Sequence, residues 1–134
     1  MIAIDTSALI AIFRLEPEAD RLLKAIVSAD RRLISALSVL EASMVMSGGA
    51  YGAAAFEPLD EFLAEAGVEV VAFDAEQAQI ARAAFLRYGK GRHKAALNLG
   101  DCASYALAKA KGVPLLFKGG DFGQTDVMQA VAAG

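Results

Sequence analysis

The chain opens on four apolar residues, Met1–Ile4, that run into Asp5. An apolar run this short, ended by an acid, reads as a buried strand feeding a helix near Ser7–Arg14. From Glu18 to Ala29 the apolar positions Ala19, Leu22, Leu23, Ile26 and Val27 recur at helical spacing. Leu33–Ser35 reads as a second strand, followed by a helix from about Val39 to Met46 that Gly48-Gly49 ends. A further helix is expected from about Gly52 to Glu65, stopped by Gly67, and then a third strand at Val68–Phe73. Glu76–Tyr88 is helical up to Gly89, Asp101–Lys111 is helical up to Gly112, and Val113–Phe117 is a fourth strand. Gly89–Gly100 is the longest irregular segment, and its charge makes it a candidate substrate-contacting loop.

Short apolar strands separated by helices predict an α/β fold with a parallel sheet covered on both faces. Four or five strands fit, in a single domain over residues 1–134. Hydrophobic residues make up 56% of the chain, which suits tightly packed layers and leaves apolar surface for self-association. No apolar run approaches the roughly 20 residues of a membrane helix. The amino terminus is strand-like and lacks a basic leader, so a soluble, cytoplasmic protein is expected. A single cysteine, Cys102, excludes an intramolecular disulfide and a thiolate zinc cluster, and reads as a small buried hydrophobe.

A net charge of −3 argues against a surface that coats nucleic acid. It leaves room for a nuclease whose acids are gathered in a cleft. Arg82, Arg87, Lys90, Arg92 and Lys94 cluster with the only histidine, His93, just ahead of Asp101; Lys109, Lys111 and Lys118 follow it.

Asp5, Glu41, Asp101 and Asp121 each fall at a strand end or a helix start, places that gather at the carboxyl edge of a parallel sheet. Crowded carboxylates repel unless a cation lies between them, so the pattern points to a hard-metal site for Mg²⁺ or Mn²⁺. Each acid also has an ordinary structural reading. Asp5 caps the following helix, Ser38-Val-Leu-Glu41 matches a capping box, and Asp101 meets the positive end of a helix dipole. The same helix carries Ala103, Ala106, Leu107 and Ala110 as its core stripe, with Asp101, Tyr105 and Lys109 away from it. Gly100 permits close backbone approach beside Asp101. Asp121 and Asp126 both lie in turn-like sequence, and either qualifies as the fourth acid.

The stretches Ile-Asp5-Thr-Ser-Ala-Leu, Leu-Asn-Leu-Gly-Asp101-Cys-Ala-Ser-Tyr-Ala-Leu-Ala and Leu-Leu-Phe-Lys-Gly-Gly-Asp121-Phe-Gly-Gln-Thr-Asp126 resemble the VapC-type toxins. These are PIN-domain ribonucleases of bacterial toxin–antitoxin pairs, and the resemblance spans nearly the whole chain. It implies Mg²⁺-dependent, or Mn²⁺-dependent, hydrolysis of phosphodiester bonds in structured RNA such as tRNA or rRNA loops. Carried over, Asp5 and Asp101 are direct metal ligands, Glu41 and Asp121 complete the cluster, and Thr6 orients Asp5 or a water. Arg82, Arg87, Arg92 and Lys94 would hold RNA phosphates. The implied partners are a small VapB-like antitoxin, through which alone DNA is bound, and a second copy of the chain in a homodimer. A single histidine independently removes the two-histidine ribonuclease mechanism within one chain. The competing expectation is a non-catalytic PIN-like module acting through dimerisation and antitoxin binding.

Overall fold

A computed structural model describes residues 1–49 and 52–130. Four strands, β1 (Ile2–Ile4), β2 (Arg32–Ser35), β3 (Val68–Val71) and β4 (Leu115–Leu116), form one sheet. Every pairing is parallel and the order is β3-β2-β1-β4. The helices are α1 (Thr6–Phe13), α2 (Ala19–Ser28), α3 (Ala36–Ser47), α4 (Phe56–Glu65), α5 (Ala75–Tyr88) and α6 (Leu99–Lys111). A parallel bridge, Leu115 to Gln129, extends the sheet beyond β4, and among the described residues it does not make a fifth strand.

Side chains alternate across a strand, and β1 shows what that does here. Ile2 and Ile4 point into a core with Leu9, Leu22, Ile26, Leu59 and Leu63, so α1, α2 and α4 cover that face. Ala3 points the other way, into a core with Ala84, Leu97, Leu107 and Leu115 under α5 and α6. Helices therefore cover both faces, as expected from the strand pattern. Among the described residues no helix is long and apolar enough to cross a membrane.

Several boundaries differ from expectation. The third and fourth strands are shorter than Val68–Phe73 and Val113–Phe117. β3 is also a sheet edge: Glu69 is exposed and Val70 is half exposed, so it is not the fully buried strand its apolar text predicts. The segment from Gly52 begins as a single 3-10 turn, Gly52–Ala55, before α4. Tyr105, expected away from the core, is buried against Tyr88 of α5, and α6 is buried over most of its circumference. Gly89–Gly100 is better anchored than a free loop. Ala95 and Leu97 are fully buried, Gly89 and Leu97 form a bridge, and the His93 ring packs edge-on to Tyr88.

The sheet order has one consequence for function. From central β1 the chain first builds outward to β2 and β3, then returns to place β4 on the other side. In a parallel sheet the crevice for ligands forms at the carboxyl ends of strands where the direction of winding reverses. That crevice lies beside Asp5, at the end of β1, and Lys118, just past β4.

Candidate active site

A cleft of about 270 Å³ opens at this edge, lined by Asp5, Thr6, Ser7, Ile10, Glu16, Glu41, Val45, Asp101 and Lys118. Asp5 follows β1 directly and caps α1, its Oδ2 accepting from the Ser7 backbone N–H at 3.0 Å. Its other oxygen accepts from Ser104 Oγ of α6 at 2.5 Å. The residue is buried, so both oxygens are matched by protein donors.

Thr6 does not hold Asp5 in place. Its Oγ1 donates to the Ser38 carbonyl at 3.2 Å, because the first turn of α1 packs it against α3. Ser38 Oγ in turn bonds Ser104 Oγ at 3.1 Å. Buried hydroxyl contacts therefore join α1, α3 and α6, and through Ser104 they end on Asp5. Neither Ser38 nor Ser104 was singled out from sequence as a site residue, since a serine inside a helix carries no local signal. Only the spacing of Ser104, three residues beyond Asp101, places it on the same side of the helix.

Glu41 is released for the cleft by a shift in helix start. α3 begins at Ala36, and Ser35 caps it by accepting from the Leu37 N–H at 3.2 Å. The expected Ser38–Glu41 capping box is not formed, because β2 turns into α3 without a loop and Ser38 already lies inside the helix. Glu41 reaches instead to Gly100, where a Cβ would collide with its carboxylate. Gly100 is thus a cradle, and only glycine leaves Glu41 its place.

Asp101 is not the first residue of its helix. α6 starts at Leu99 with Asn98 as cap, and a capping box does form here: Asn98 Oδ1 accepts from the Asp101 N–H at 2.9 Å and Asp101 Oδ2 accepts from the Asn98 N–H at 3.0 Å. Burial pushes the Asp101 carboxyl up to about 6. The Asn98 hydrogen bond opposes that shift, while the charges of Asp5, Glu41 and Asp121 reinforce it. Three acids from distant parts of the chain are therefore within electrostatic reach of Asp101.

Asp126 lies elsewhere. It accepts from Tyr105 Oη at 2.5 Å and is paired with Lys109 at 3.1 Å and Arg87 at 3.8 Å. Of the two candidates for the fourth acid, Asp121 is the one whose charge reaches Asp101. The proposed RNA-binding residues are exposed but do not line the cleft. Arg82 bonds Gln79, Arg87 lies over the Tyr88 ring, Arg92 lies over the Phe85 ring, and Lys94 is at the surface of the loop. Cys102 is buried and its thiol is raised by that burial, consistent with a packing role.

The donor set suits a hard divalent ion: carboxylates only, with no imidazole or thiolate. Among the described residues no lysine, arginine or histidine is paired with Asp5, Glu41, Asp101 or Asp121. Nor do any three such groups, among the described residues, already converge tightly enough to cage an ion. Asp5 and Asp101 are turned onto protein donors, and among the described residues the acids are left without a basic partner.

The match to the PIN-domain model covers residues 2–128, and the chain belongs to the PIN-domain family. Within it, the curated relatives are VapC ribonucleases. Ribonuclease VapC of Mycolicibacterium smegmatis is 52% identical over 124 residues, 92% of this chain and 95% of that protein. Ribonuclease VapC30 of Mycobacterium tuberculosis is 50% identical over 92% of this chain and 94% of its own length. The fold is similar to that of Mycobacterium tuberculosis VapC20, a sarcin-ricin loop cleaving toxin, with a TM-score of 0.78 at 18% identity over 98% of this chain and 99% of that one. It is also similar to VapBC2 from Rickettsia felis bound to a promoter DNA fragment, with a TM-score of 0.74 at 17% identity and 96% coverage of each chain. PIN-domain nucleases of the VapC type generally depend on a divalent metal.

Proposed function

We propose that this chain is the toxin of a type II toxin–antitoxin pair, an endoribonuclease that uses Mg²⁺, with Mn²⁺ as a substitute, to hydrolyse phosphodiester bonds in structured RNA. The observation that carries this reading is the uncompensated acidic cleft at the reversal point of the sheet, in a chain half identical to named ribonucleases. Loops of tRNA or rRNA are the substrate class that the resemblance to VapC toxins implies, and exposed single-stranded loops are what proteins read in RNA by sequence.

Asp5 and Asp101 are the residues to hold the ion, with Glu41 and Asp121 completing the cluster directly or through water. When bound, a hard divalent ion supplies a water of lowered pKa and a counter-charge for the phosphate. The chain's own contribution is placement. Ser104 and the Ser7 N–H fix the rotamer of Asp5, the Asn98 N–H takes one oxygen of Asp101 and leaves the other to the cleft, and Gly100 sets where Glu41 ends. Positioned groups of this kind convert metal binding into a reactive geometry.

The proposed partners are a small antitoxin, through which alone DNA would be reached, and a second copy of the chain. Leu40 and Met44 are exposed one turn apart on α3, beside cleft-lining Val45, and give an antitoxin segment an apolar footing. A basic side chain of that segment, entering the cleft, would pair with the carboxylates and compete with the ion.

The test is cleavage of labelled total RNA by purified, antitoxin-free protein with Mg²⁺ or Mn²⁺ against EDTA. Discrete, metal-dependent bands that vanish in Asp101→Asn are expected. No cleavage by folded wild-type protein with either ion would return the reading to a non-catalytic module.

A further inference from the structure

The residues expected to hold RNA lie outside the cleft, which leaves open what meets the phosphate inside it. Among the described residues lining the cleft there is one basic side chain, Lys118. It follows β4 directly, and its backbone N–H donates to Ser7 Oγ at 3.0 Å, tying its main chain to the same turn that carries Asp5. The two residues after it are Gly119, in the left-handed region at φ 99°, and Gly120, so the chain turns sharply away and leaves the lysine stem at the rim.

The Lys118 ammonium does not neutralise the four acids. It is held by Glu16 at 2.6 Å and Glu18 at 3.3 Å, both in the connection between α1 and α2. All three side chains are partly exposed to solvent. Pairs of this kind are weak and exchange readily for another anion. An ammonium on a four-carbon stem is well suited to such an exchange, since its charge is not directional and its reach is adjustable.

We propose that Lys118 is a phosphate-contacting residue for the RNA substrate, parked on Glu16 and Glu18 in the free protein and transferred to a backbone phosphate when RNA enters. This rests on the ribonuclease reading above and deepens it. A polyanion approaching a carboxylate-lined cleft meets repulsion at the rim before it meets any ion. Lys118 is the side chain placed to offset that repulsion, and its parking carboxylates keep it from filling the metal position instead.

The test compares wild type with Lys118→Met and Lys118→Arg, using a short RNA spanning a mapped cleavage site. For Lys118→Met, KM is expected to rise about 5- to 10-fold, with kcat and the metal concentration for half-maximal rate changed less than about 2-fold. The slope of log KM against log salt should become shallower by about 0.7, the value for one lost phosphate contact on single-stranded nucleic acid. Lys118→Arg should stay within about 2-fold of wild type. Direct RNA binding in the Asp101→Asn background, with and without Lys118→Met, reads the same contact without turnover. A lysine that merely pins the α1–α2 connection would lower the melting temperature and leave KM and the salt slope unchanged, and that result overturns the proposal. If wild type itself fails to cleave RNA, the ribonuclease reading fails first. If wild type cleaves and both binding and salt slope ignore residue 118, the Lys118 assignment alone fails.

Discussion

Asp101 at the start of α6 and Asp126 docked farther along the same helix are two carboxylates in opposite circumstances. Asp101 is driven up to about 6, by burial first and then by the charges of Asp5, Glu41 and Asp121. Burial also pushes Asp126 upward, but hydrogen bonds from Tyr105 and Lys109, with the charges of Lys109 and Arg87, outweigh it and hold the group below the usual carboxylate range. The first acid is in an unsatisfied electrostatic environment and the second in a satisfied one. A carboxylate matched to cations belongs to the scaffold, whereas one surrounded by other acids is poised for a ligand that the chain does not supply.

The sharpest way to break this contrast is to neutralise each acid in turn. Asp101→Asn should reduce RNA cleavage by about 100-fold or more, because it weakens the carboxylate set that would hold the ion. Its side-chain oxygen can still accept from the Asn98 N–H, so the metal-free protein should gain roughly 1 kcal/mol of stability from relieved repulsion. Asp126→Asn should do the reverse, keeping cleavage within about 3-fold and losing about 1 kcal/mol. Parallel RNA cleavage and denaturant titrations check both, and equal losses of activity would erase the distinction.

A second test moves an acid without removing it. Gly100→Ala should displace Glu41 and lower cleavage by about 10-fold or more, with stability changed by less than about 1 kcal/mol, because the flexible Glu41 side chain can swing aside and alanine favours the helix. Full activity in that variant would show that Glu41 is not required at its observed place. On the satisfied side, Tyr105→Phe removes the hydroxyl that bonds Asp126. It should cost about 1 kcal/mol in chemical denaturation and leave kcat within about 2-fold.

The smallest effect is one of pH. In metal-free protein the folded Asp101 carboxyl, at about 6 against an ordinary 3.8, holds a proton that the unfolded chain has already released. Stability therefore falls as pH rises from about 4 to about 6, by roughly 1 kcal/mol once solvent exposure of the group is allowed for. Denaturation midpoints across that window should show the slope in wild type and lose it in Asp101→Asn. A slope unchanged by the substitution would assign it to another group.

The order of strands and helices was legible because each apolar run is short and each helical stripe is separate. What misled was the start of two helices. Ser38 and Glu41 satisfy a capping-box spacing, yet Ser35, at the end of β2, is the cap that forms; a strand passing straight into a helix leaves no loop to mark it. At α6 the box is real but begins at Asn98, three residues ahead of the expected start. The close backbone approach expected at Gly100 was readable, although its partner, Glu41, was not. Ser104 and Lys118 stayed hidden for a related reason. Their importance lies in contacts with residues 99 and 111 positions away, to which local pattern is blind.

Those long separations also bear on when the cleft comes into being. During synthesis β1 and Asp5 emerge early, but Ser104 and the strand that pairs with β1 on its second side emerge some hundred residues later. Contacts this distant in sequence form slowly and only after the intervening chain is in place. A nascent chain still tethered at α5 carries Asp5 and Glu41 yet lacks Asp101, Asp121 and Lys118, so it holds two of the four acids and not the lysine of the cleft. The growing polypeptide therefore lacks a complete cleft for most of its time on the ribosome, and the site is assembled only as the last quarter of the chain folds back onto the first few residues.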